Sequence, residues 1–94
     1  MLGKSPDDDP NAIVQKKVLV MTLGNAKDID ALIDLLYSEE NEEIKCHIIT
    51  VLGALGRIEV ISDLETIKQN ETRINVKNSI EEAIQVIEGL SEYI

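Results

Sequence analysis

Few residues of this chain are of a type that does chemistry. Its only histidine, His47, directly follows its only cysteine, Cys46. Neighbouring positions on a helix point about 100° apart, so the two cannot act as a nucleophile–base pair within one chain. Cys46 reads as a small hydrophobe and His47 as a surface or interface histidine. No His-Glu-x-x-His or Cys-x-x-Cys spacing occurs, so zinc is not expected. A lone cysteine forms no intramolecular disulfide and requires no oxidising compartment. No catalytic, cofactor-binding or metal-binding residue is assigned.

Carboxylates are the abundant reactive groups. Asp7-Asp8-Asp9 and Glu39-Glu40-Asn41-Glu42-Glu43 stand at equivalent points 32 residues apart. Each lies just before a predicted helix, where caps and dipole compensation contribute up to about 1 kcal/mol per group. Calcium is the weaker option, because the EF-hand spacing with its Gly and closing Glu is absent. The chain carries 9 basic and 18 acidic residues, a net charge of −9, which disfavours nucleic acid. Phe and Trp are absent and Tyr occurs twice, so there is no aromatic platform for single-stranded bases. The charge suits a basic protein partner through long-range steering, or serves solubility alone.

Five helices must position these residues. Residues 1–9 read as a flexible tail, with Asp9 as an N-cap and Pro10 at the first helical position. A helix follows to about Leu23, stopped by Gly24-Asn25. Asp28 caps a second helix to about Tyr37, and Asn41 caps the third. The third, from Ile44, has apolar residues at 44, 48, 51, 52 and 55, one face of a helix, and ends at Gly56. A fourth spans about Ile58–Lys68, and a fifth runs from near Thr72 to about Gly89, leaving Leu90–Ile94 as a short tail. No strand pattern appears, and no run approaches the roughly 20 apolar residues needed to span a bilayer. The N-terminus lacks the apolar run of a signal peptide, so a cytoplasmic location is the default expectation.

The three longer helices coincide when the chain is shifted by 32 residues. Ala12, Ile44 and Val76 align, as do Leu19, Val51 and Ala83; Val20, Leu52 and Ile84; Leu23, Leu55 and Ile87. Gly24 matches Gly56. Lys16 breaks the pattern against Ile48 and Ile80, which implies a first helix that is rotated or less buried. A fixed period of this length with two helices per unit signals an α-solenoid.

Ile44-Lys45 with Ile48, Val51-Leu52-Gly53 and Leu55-Gly56 resembles the second helix of short HEAT-like repeats, of the phycobilin-lyase type. Val76-Lys77 with Ile80, Ala83-Ile84 and Ile87 is a weaker copy without the glycines, and Asp9-Pro10 resembles the turn before that helix. The resemblance covers about residues 9–90. It implies an all-α superhelix of five helices, two full repeats after one preceding second helix, over residues 10–94. It says little about function, since such repeats serve many roles. HEAT-like enzymes resembling deoxyhypusine hydroxylases need several His-Glu pairs, which this chain lacks. Phycobilin lyases share the repeats, but 94 residues are few for that work.

In that arrangement the second helices line the inner side. Ile13, Val14, Val18 and Met21 on the first helix and Ile49 on the third fall off the core positions, forming an aliphatic strip. Lys77, Glu81 and Gln85 make the last helix polar. The strip is either a wider core or an interface. The protein-binding residues assigned are Val14, Val18, Met21, Ile49, Lys77 and Glu81. The function expected is a non-catalytic protein-interaction module or small scaffold, binding a protein or further copies of itself. The alternative is an accessory domain or fragment of a larger HEAT-repeat enzyme such as a lyase-type protein.

Overall fold

A computed structural model of the protein describes residues 9–91, and among them every regular element is a helix. In order these are α1 (Pro10–Asn25), α2 (Ile29–Ser38), α3 (Glu42–Leu55), α4 (Val60–Asn70) and α5 (Ile74–Ser91). The predicted tail residues 1–8 and the end of the predicted C-terminal tail, residues 92–94, lie outside the described range.

Local chemistry sets most boundaries. The Asp9 carboxylate accepts from the Asn11 amide, Asp28 from the Ala31 amide and Asn41 from the Ile44 amide. Each satisfies one of the orphan donors at a helix start. Gly56 ends α3 in the left-handed region at φ 71°. Two starts differ from expectation. The predicted fourth helix begins at Val60 rather than Ile58, and the fifth at Ile74 rather than Thr72. Ile58 falls in the intervening turn and is 58% exposed. The fifth helix also continues past Gly89 to Ser91.

Gly24 does not stop α1. The helix runs on to Asn25, and the positive φ of the turn, 57°, falls on Lys27. Gly24 serves packing: a Cβ there would lie 2.7 Å from Val51 Cγ1. Gly53 plays the matching part on the other flank of α3, where a Cβ would lie 3.1 Å from that of Ala83.

These contacts fix the topology. Lys17 pairs with Glu43 near the starts of α1 and α3, and Gly24 meets Val51 near their ends, so the two run parallel. Cys46 Sγ lies 3.9 Å from the Asn75 carbonyl and Gly53 abuts Ala83, so α3 and α5 are parallel too. Helix α3 thus sits between α1 and α5, with α2 against α1 and α3 and α4 against α5. Leu32, Leu36, Ile44, Ile48, Leu52, Leu64, Ile80 and Ile87 are fully buried between them.

The repeat's core positions hold on α3 and α5 but not on α1. Val20 is the buried residue of α1, and Leu19, aligned with the half-buried Val51 and the buried Ala83, is 46% exposed. The misfit Lys16 has a partner: its Nζ donates to Glu39 at 3.2 Å.

Glu39 and Glu71 are buried carboxylates that the sequence pattern does not single out. Each is the first residue beyond its helix, and each accepts from the backbone amide two residues on, Asn41 at 3.0 Å and Arg73 at 2.9 Å. Each also holds a lysine of an earlier long helix: Lys16 on Glu39 and, at 2.9 Å, Lys45 on Glu71. The same joint therefore recurs 32 residues along the chain. At Glu71 the Arg73 guanidinium adds a bond of 2.8 Å from Nε. The Arg73 side chain beside it chiefly holds the Glu71 carboxyl down at about 2, with help from the Arg73 amide and Lys45, against the opposing effect of burial. Arg73 also donates to the Glu40 carbonyl at 2.8 Å, tying the start of α5 to the α2–α3 connection.

Candidate functional site

The row α1–α3–α5 has one face turned away from α2 and α4, and the exposed aliphatic residues of α1 lie on it. Val14, Val18 and Met21 recur at spacings of four and three, a single side of a helix, and are 59%, 56% and 56% exposed. The lysines between them point elsewhere: Lys16 to Glu39 and Lys17 to Glu43.

Two shallow grooves continue this surface. Between α1 and α3 lies one of about 260 Å³, lined by Met21, Gly24, Val51 and Ala54 among others. Between α3 and α5 lies another of about 240 Å³, lined by Thr50, Gly53, Ala54, Ser79, Glu82 and Val86. Exposed Ala54 lines both, so its small side chain joins rather than separates them. Val86, 48% exposed, forms the far wall.

The predicted binding residues divide accordingly. Val14, Val18 and Met21 lie on this face. Ile49 does not: it is fully buried, because α3 is flanked on both sides and its apolar stripe must be wider than one neighbour requires. Glu81 is exposed but turned toward α4, where it accepts from Lys68 at 3.3 Å. Lys77, one turn earlier and half-buried, belongs to the same side of α5. Ile13 is half-buried against the core rather than part of the exposed strip. Ala54, Glu82 and Val86 were not identified from sequence. Val86 carried a signal, as an apolar residue off the α5 core stripe; Ala54 carried none.

The face has the chemistry of contact rather than of reaction. Among the described residues, no group of three or more His, Cys, Asp or Glu is placed to hold a metal ion. His47 is half-buried, and its Nε2 is shut from solvent without a hydrogen-bond partner, so no acid or base is aligned with it. No described helix is long and apolar enough to cross a membrane. Comparisons with protein-family models, curated proteins and solved structures give no match.

Proposed function

We propose that this chain is a protein-interaction module that docks a partner segment on the α1–α3–α5 face. The observation that carries the reading is the run of Val14, Val18 and Met21, each more than half exposed and continuous with Ala54 and Val86. Aliphatic side chains grouped this way mark interfaces, whereas scattered ones do not. The 32-residue step, the parallel long helices and the recurring carboxylate joint support a short HEAT-like stack as the scaffold. The net charge of −9 favours a basic segment, drawn in from solution by the field of the whole molecule, and a cytoplasmic setting fits the reading.

The test is capture of a partner from the source cell by the wild-type chain and by Val18→Asp. The exposed position tolerates the charge, so the far-UV circular dichroism of the variant should match wild type. A carboxylate in the middle of a desolvated patch should weaken a captured partner by at least ~10-fold. A partner held equally well by Val18→Asp would sink the reading. Loss of helicity in that variant would instead show Val18 to be core.

A further inference from the structure

We propose that two copies of this chain associate through their α1–α2 ends, about a two-fold axis that sets Leu19 of each against the groove of the other. This contact is separate from the docking face above and does not depend on it.

The two ends of the helix row are chemically unlike. At the α5 end the outward residues Asn78, Glu81, Gln85 and Glu88 are polar and exposed. At the α1 end a groove of about 440 Å³ runs between α1 and α2, lined by Leu19, Leu23, Ala31, Asp34, Leu35 and Ser38. Leu19 at its edge is 46% exposed. Head-to-tail stacking would press this apolar groove onto the carboxylates of α5, so like must meet like, as in an isologous dimer.

Charge points to the same surface. Each copy carries −9, yet α1 contains no Asp or Glu between Pro10 and Asn25. Its two lysines are engaged inside the molecule with Glu39 and Glu43. Two acidic bodies can approach at this end with little local repulsion, Asp34 being the carboxylate at the groove. Net repulsion between the copies remains, so added salt should strengthen the contact by screening it. An electrostatically steered basic partner would respond in the opposite sense.

The area sets the strength. Helix α1 has 16 residues and α2 has 10. At 1.5 Å per residue and ~10 Å width their end presents roughly 400 Å² per copy. A standard stable interface uses about 800 Å² per partner. The dimer is therefore reversible and concentration-dependent, not obligate.

Sedimentation equilibrium of the full chain tests this, from roughly 10 μM to 1 mM, a range suited to an interface of this size. Wild type should move from monomer toward dimer with concentration, and further as salt is raised from about 50 to 500 mM. Leu19→Asp should associate at least ~10-fold more weakly, with unchanged far-UV circular dichroism, and Val18→Asp should associate as wild type does. A wild type that stays monomeric throughout overturns the proposal. So does association that survives Leu19→Asp, or that is lost in Val18→Asp, which would move the contact to the docking face.

Discussion

Leu52→Ala should lower the free energy of unfolding by about 2–5 kcal/mol. Leu52 is fully buried on α3, the helix that touches both other long helices and α2. Truncation removes its burial energy and leaves a void between elements that cannot all close in at once. A domain of this size has about 5–15 kcal/mol in total, so the loss is a large share of what holds it folded. Urea unfolding followed by circular dichroism should show an earlier midpoint at unchanged slope. A midpoint equal to wild type would remove Leu52 from the core.

Glu71→Ala should cost about 3 kcal/mol at neutral pH. The variant strands Lys45, whose side chain is 13% exposed, and deprives both the amide and the guanidinium of Arg73 of an acceptor. The pH dependence follows from the Glu71 carboxyl being lowered from 4.5 to about 2. A depressed carboxylate contributes fully above its ordinary value and loses that contribution as pH falls through its folded value. Wild-type stability should therefore decline between about pH 5 and pH 2, by roughly 3 kcal/mol from this group. Denaturant titrations at pH 7 and near pH 2 should show the gap between wild type and Glu71→Ala closing in acid. Glu71→Gln, which keeps an acceptor but not the charge, should show a flatter acid response than wild type. A gap independent of pH would mean that the joint works by shape alone.

What could be read from sequence was what depends on near neighbours. Asp9, Asp28 and Asn41 cap amides two or three residues away, and Gly56 turns the chain where it stands. Such features need only local spacing. The exposed side of α1 was legible for a related reason: Val14, Val18 and Met21 share one side that the 32-residue step leaves outside the core. Glu39 and Glu71 were hidden because a carboxylate's burial depends on distant partners, Lys16 23 residues away and Lys45 26. Their identical separation from one another was the available signal. Ile49 and Leu19 were misplaced for opposite reasons. A single-helix pattern underestimates burial on α3, which has two flanking neighbours, and the repeat overestimates it on α1, whose outer flank has none.

That difference between flanks gives the molecule a gradient of local opening. Helix α1 is secured along one side and through Lys16 and Lys17, and Val20 alone among its residues is fully covered. Segments with few buried contacts open without the rest. Amides of α1 should exchange their hydrogens by peeling away from an intact remainder, while those of α3 wait for the whole domain to come apart. Anything that settles on α1, a bound segment or a twin, would then slow exchange most in the part that opens most readily.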